Sequence, residues 1–130
     1  MSELVRVLCA EDDAGIKAIL NFSLSRVGKF EVCMCSDGTE VLESARAFKP
    51  QIILLDVMMP GMSGPDTLAQ LRLDPDLSKV PVVFVTAKAT LDELQALTDL
   101  GAAGIIVKPF VATELPANVR MLWEGFRGDV

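Results

Sequence analysis

The chain contains no histidine. That absence removes His-based metal sites, Ser-His and Cys-His catalytic pairs, and any phosphohistidine of its own. Cysteine is scarce, limited to Cys9, Cys33 and Cys35. An odd count in a chain without a secretory leader argues against a disulfide framework. Cys33-Met34-Cys35 lacks the spacing of a CxxC redox motif; on a strand its two thiols share one face. The cysteines therefore read as small buried apolar side chains, too few for zinc. Basic residues are outnumbered, 12 against 18 acidic, for a net charge of −6. That balance speaks against direct nucleic-acid contact, which normally needs a Lys/Arg patch. No apolar run approaches the roughly 18 residues of a membrane span. Met1-Ser2-Glu3 is not the basic start of a signal peptide, so a cytoplasmic protein without membrane contact is expected.

What is present suits one buried core. The 130 residues are 51% hydrophobic, enough for one domain with little room for a second. The apolar runs are about four to six residues long and end at turn residues, as buried strands do. Leu4 to Ala10 reads as the first strand. Asp13 can cap a helix striped by Ile16, Ile19, Leu20, Leu24 and Val27 and stopped by Gly28. Phe30 to Cys35 reads as a second strand. Asp37-Gly38 is a turn, with Asp37 or Thr39 the cap of a helix through Val41, Leu42 and Ala45. Gln51 to Leu55 is a third strand ending at Asp56, apolar enough to be covered on both faces. A loop dense in glycine and proline follows. Leu68, Leu71 and Leu73 mark a helix that ends near Asp74-Pro75. Val80 to Val85 is a fourth strand with Thr86 at its end. Leu91, Leu94 and Leu97 stripe a helix closed by Gly101. Gly104 to Val107 is a short fifth strand ending at Lys108-Pro109. Leu115, Val119, Leu122 and Phe126 stripe the last helix, with Pro116 in its first turn. Strand and helix alternate five times over short connections, which predicts an α/β fold: a parallel sheet with helices on both faces.

In such sheets, ligands bind beyond the carboxyl ends of the strands. The polar residues at those ends are Glu11 and Asp12, Asp56, Thr86 and Lys108. Singly, each has an ordinary explanation as a helix cap, a structural hydroxyl or a solvated ammonium. Together they put three acids, a hydroxyl and an ammonium on one rim. Close ionised acids repel, and a hard divalent cation relieves that. Oxygen ligands without His or Cys suit Mg²⁺ better than zinc. One carboxylate is then left to attack a phosphoryl group, with Thr86 and Lys108 placed to stabilise its oxygens.

Those residues carry a resemblance. Val7-Leu8-Cys9-Ala10-Glu11-Asp12-Asp13, Asp56-Val57-Met58-Met59-Pro60-Gly61-Met62-Ser63-Gly64, Val85-Thr86-Ala87 and Val107-Lys108-Pro109-Phe110 are similar to the response-regulator receiver domains of two-component signalling, over nearly the whole chain. The resemblance implies a flavodoxin-like, doubly wound five-stranded sheet of order 2-1-3-4-5 with five helices. It implies Asp56 as phosphoacceptor. Asp12 is implied as a direct Mg²⁺ ligand, Glu11 as an acid acting through water, and the Met58 carbonyl as a further ligand. Thr86 and the Ala87 backbone are implied as the switch, Lys108 as phosphate-binding, and the peptide before Pro109 as cis. A sensor histidine kinase or histidine phosphotransfer protein is the implied donor. Output is implied through the face of helix four, strand five and helix five, which leaves room for a homodimer.

Three positions modulate that expectation. Ile105 stands where many relatives carry an aromatic or His, so the switch is expected to rest on Thr86 and the following loop, with Ile105 offering apolar contact. Met58 and Lys88 flank the path of a hydrolytic water, and neither is a good general base for it, which predicts a long-lived phosphoryl group. Trp123 reads as either core or partner contact. An aspartyl-phosphate hydrolase normally shows a second Asp two residues beyond the nucleophile, and Met58 occupies that place. The chain thus reads as a single receiver domain over residues 1–130. It would not be an enzyme beyond its own phosphorylation and dephosphorylation, and it would stand alone or belong to a hybrid kinase or longer regulator.

Overall fold

The computed structural model describes residues 3–88 and 90–127. Met1 and Ser2, on which the leader reading rests, and the chain end at Val130 lie outside the described residues. Five parallel strands form one sheet: β1 (Arg6–Ala10), β2 (Glu31–Cys35), β3 (Ile52–Asp56), β4 (Val82–Thr86) and β5 (Gly104–Val107), in the order β2-β1-β3-β4-β5. The helices are α1 (Ala14–Asn21), α2 (Gly38–Phe48), α3 (Gly64–Leu73), α4 (Leu91–Asp99) and α5 (Leu115–Arg127). The expected doubly wound, flavodoxin-like topology is thus the observed one.

The period of two along each strand sorts the core into two layers. Val7, Cys9, Ile52, Leu54, Val83, Val85 and Ile106 face α1, the helical turns that continue it, and α5, where Leu20, Leu24, Leu115, Val119 and Trp123 meet them. Leu8, Ala10, Ile53, Leu55, Val82 and Phe84 face the other way, against Val41, Ala45, Leu68, Leu71 and Leu97. β3 is buried along its whole length because it lies centrally with helices over both faces. Cys33 and Cys35 share the second layer, and burial pushes the Cys35 thiol up to about 11.

The caps behave as local chemistry requires. Asp13 accepts the Ile16 N–H at 2.9 Å, and Asp37 accepts the Glu40 N–H at 3.1 Å. Thr90 and Glu93 form a reciprocal capping box on α4.

Several expected stripe residues are exposed instead. Leu73 is 77% exposed and Leu91 84%, because they are the last residue of α3 and the first of α4, beyond the edge of the layer. Phe126 is exposed near the end of α5. Ile19 is exposed on α1, and Val27 is exposed at the end of Phe22–Val27, a π-helical stretch whose wider turn rotates the stripe. Trp123 is buried, so its reading as a partner contact gives way to core packing. Leu54 lies in the central strand with no exposure. Leu54→Ala is expected to cost about 2–5 kcal/mol, read as a lower urea midpoint at unchanged slope.

Candidate phosphoacceptor site

The parallel sheet delivers its strand ends to one edge. β1 runs into Glu11 and Asp12, β3 ends on Asp56, β4 on Thr86, and β5 runs into Lys108. One carboxylate oxygen from each of Glu11, Asp12 and Asp56 lies within 4.8 Å of the other two. The Lys108 ammonium bridges the buried pair, 2.9 Å from Glu11 Oε1 and 3.2 Å from Asp56 Oδ1. Glu11 Oε2 accepts the Asp13 N–H at 3.1 Å. Glu11 is 1% exposed and Asp56 5%, while Asp12 faces solvent. The arrangement is an open-topped acidic well with one cation in its wall.

Its electrostatics follow from that placement. Burial, reinforced by the Glu11 charge, raises the Asp56 pKa above the ordinary carboxylate value, and Lys108 only partly offsets this. Burial works against the Lys108 ammonium too. Its bonds to Glu11 and Asp56 together outweigh that, and its pKa is raised. Two close acids, one of them costly to ionise, leave the well short of positive charge.

Thr86 is buried, and its Oγ1 accepts the Lys88 N–H at 3.0 Å. The Lys108 N–H donates to the Thr86 carbonyl at 2.8 Å, which ties the two strand ends together. The Lys108–Pro109 peptide is cis. Ala87, Lys88 and Met58 are exposed at the mouth, Met58 by 65%. Ile105 lies away from this well, half-buried against the α2–α4 layer.

Gly64 closes the run after Asp56 in the sequence, and the structure adds a contact role that the run did not reveal. A Cβ there would lie 2.6 Å from the Asp56 carbonyl oxygen and 3.0 Å from Val57 Cα. Only glycine allows α3 to begin so close behind Asp56, where the Gly64 N–H bonds the Val57 carbonyl at 3.0 Å. The available signal was a glycine in the first turn of a helix, where it has no propensity reason to be.

An apolar groove of about 360 Å³ adjoins the well, lined by Ile16, Ile19, Ala87, Lys108, Pro109 and Phe110. Among the described residues, no helix is long and apolar enough to cross a membrane.

Replacing Asp56 by Asn should raise the melting temperature of the metal-free protein by a few degrees. The folded pKa of Asp56 lies above its unfolded value, so ionisation costs stability as pH rises through the folded pKa. The gap between variant and wild type should therefore close as pH falls below about 4. Calorimetry across pH checks both.

Comparison with known proteins agrees with this geometry. Residues 7–120 match the family model described as the response regulator receiver domain. The DNA-binding response regulator MtrA of Mycobacterium tuberculosis (strain ATCC 25618 / H37Rv) is 39% identical over 115 residues, which cover 88% of this chain and 49% of that protein. The transcriptional regulatory protein PrrA of the same strain is 40% identical over 118 residues, 90% of this chain and 49% of the relative. The chain thus spans about half the length of these curated relatives. Among solved structures, the Vibrio cholerae chemotaxis protein CheY4 superposes with a TM-score of 0.83 at 27% identity, covering 92% of this chain and 98% of that one. The signal receiver domain of a signal transduction histidine kinase from Syntrophus aciditrophicus gives a TM-score of 0.81 at 25% identity, covering 97% and 95%. The sequence match, the strand order and the fold likeness agree: this chain belongs to the response regulator receiver domain family.

Proposed function

We propose that the chain acts as a single phosphoacceptor domain, taking a phosphoryl group onto Asp56 in a Mg²⁺-dependent reaction and signalling through protein contacts. The observation that carries this reading is the well itself: a buried Asp56 carboxylate beside Glu11, Asp12 and the Lys108 ammonium.

The donors fit a hard cation, since the cluster offers carboxylate oxygens alone. Glu11, Asp12, Asp56 and the Met58 carbonyl would hold Mg²⁺. When bound, the ion supplies the positive charge that the well lacks and neutralises phosphoryl oxygens. Asp56 acts as nucleophile: its carboxylate oxygen forms a bond to phosphorus as the bond from phosphorus to the donor nitrogen breaks, and the donor imidazole, protonated on its other ring nitrogen, takes the electron pair and leaves neutral. Lys108 exchanges its Asp56 contact for a phosphoryl oxygen while keeping Glu11. The Thr86 hydroxyl leaves the Lys88 N–H and turns to another phosphoryl oxygen, with the Ala87 N–H supporting it. That exchange pulls the loop after β4 inward and biases the surface beyond it. Pro109 aims Lys108 into the well. The domain serves its own phosphoryl group, not a stream of substrates, and is no enzyme in the usual sense.

The groove of Ile16, Ile19, Ala87, Pro109 and Phe110 opens beside Lys108. It would seat the phosphohistidine protein, a sensor kinase or a phosphotransfer domain. Output would pass through α4, β5 and α5. There Ile105, Val107, Phe110, Val111, Met121 and Leu122 line a second groove of about 310 Å³, open to a target protein or a second copy. The domain itself would touch neither nucleic acid nor membrane and would work in the cytoplasm. A second reading, a receiver that forms part of a longer regulator or hybrid kinase, is favoured by the half-length match to MtrA and PrrA and by the likeness to the histidine kinase's receiver.

Incubation with Mg²⁺ and acetyl phosphate or phosphoramidate, followed by intact-mass spectrometry, tests the reading. One phosphoryl mass is expected on the wild type, absent from Asp56→Ala and blocked by EDTA. No adduct with Mg²⁺ present would move the chain to a phosphorylation-independent binding module. Met58 and Lys88 offer no general base to a hydrolytic water. Met58→Asn is therefore expected to dephosphorylate about threefold to tenfold faster, and an unchanged decay would refute this shielding role.

A further inference from the structure

Ser23 is fully buried, yet it belongs to none of the strand ends that build the well. Its hydroxyl donates to the Ala112 carbonyl at 2.5 Å, across 89 positions of sequence. Ala112 lies in the segment between β5 and α5, the same segment that opens with Lys108, Pro109 and Phe110. A buried hydroxyl must find a partner, and an apolar side chain would fill this space without that demand. Here the demand is met by the one segment that carries the phosphate-binding lysine.

The surroundings make the bond a fixed point. Ser23 lies in the π-helical stretch, where the Gly28 N–H donates to the Ser23 carbonyl at 2.9 Å in a five-residue step. A Cβ at Gly28 would sit 2.8 Å from Pro116 Cβ, so helix one meets the start of α5 at bare-backbone distance. Arg120 of α5 bonds the Gly28 carbonyl at 2.7 Å and stacks 4.6 Å from the Phe30 ring centre. Helix one and α5 are therefore fastened to each other, and Ser23 fastens the intervening segment to both. On its other side, that segment is held by the Lys108 N–H bond to Thr86.

We propose that Ser23 is a positioning residue for phosphoryl transfer, one that holds the segment from Lys108 to Ala112 so that the Lys108 ammonium stays over Asp56 and Phe110 keeps its place as the groove wall. The inference rests on the phosphoacceptor reading above. Without the hydroxyl, the Ala112 carbonyl would be left without its partner, and the segment would move outward to reach water. Lys108 and Phe110 would shift with it. Glu11, Asp12 and Asp56 stand on other strands and would keep their places.

The test is the bimolecular rate constant for Asp56 phosphorylation by phosphoramidate at excess Mg²⁺, read by intact mass on the full chain, with Mg²⁺ affinity measured in parallel. Ser23→Ala is expected to slow phosphorylation about tenfold, with Mg²⁺ affinity unchanged within about twofold because its ligands do not lie on the segment. Ser23→Thr, which keeps the hydroxyl, should recover the rate. A folded Ser23→Ala that phosphorylates at the wild-type rate, even at a lower melting temperature, would make Ser23 a fold staple only and overturn the proposal. A loss that Ser23→Thr does not repair would overturn it as well. If Ser23→Ala does not fold, Ser23→Cys gives the comparison, being near in shape and a weak donor; a wild-type rate there overturns the proposal, and a slowed one supports it. A wild type that takes no phosphoryl group at all would sink the phosphoacceptor reading instead.

Discussion

The bridge from Lys108 to Glu11 and Asp56 is the interaction around which the functional edge is built. Two carboxylates are buried within a few ångströms, and the protein places one ammonium between them at 2.9 and 3.2 Å. Burial first, and then the neighbouring Glu11 charge, raise the Asp56 pKa despite its salt bridge, and one cation serves two buried acids and a third at the rim. On the proposed function, that shortage of positive charge is what an incoming hard cation makes good, and with it an anionic group can enter. Stability is given up locally, and the covered sheet below supplies the margin to tolerate it.

The fold keeps that arrangement rigid. β3 carries Asp56 as the last residue of a fully buried central strand, and Gly64 lets α3 start directly behind it. β4 and β5 are paired up to Thr86 and Val107, and the Lys108 N–H bond to the Thr86 carbonyl extends that pairing by one step. The hydroxyl of Thr86 is held by the Lys88 N–H, a contact within its own loop. Ile105, lacking a ring, packs against the layer of Phe84 and Leu97.

Much of this was legible in the sequence. Strand-helix alternation, the Asp13 and Asp37 caps, and the strand-end placement of Glu11, Asp12, Asp56, Thr86 and Lys108 all follow from local rules. Strand order and the roles of the site residues came from likeness to a family, since alternation alone leaves the order open. Some features were out of reach. Leu73 and Leu91 keep the helical period and yet end up exposed, because periodicity says nothing of where a helix overruns its layer. The π-helical stretch at Phe22–Val27 has no pattern that separates it from an α-helix. The Ser23–Ala112 bond joins residues far apart in sequence, and neither one stands out alone. Gly64 was visible as a glycine but not as the backbone contact behind Asp56.

The proposed site stands on these strand ends forming one electrostatic unit completed by a divalent cation. Titrating the ¹⁵N-labelled protein with Mg²⁺ and following its amide resonances tests it most directly. Saturable shifts are expected, concentrated on residues 11–13, 56–58, 86–88 and 108 and lost in Asp12→Ala. Shifts that never saturate, or that gather on acidic residues elsewhere, would contradict it.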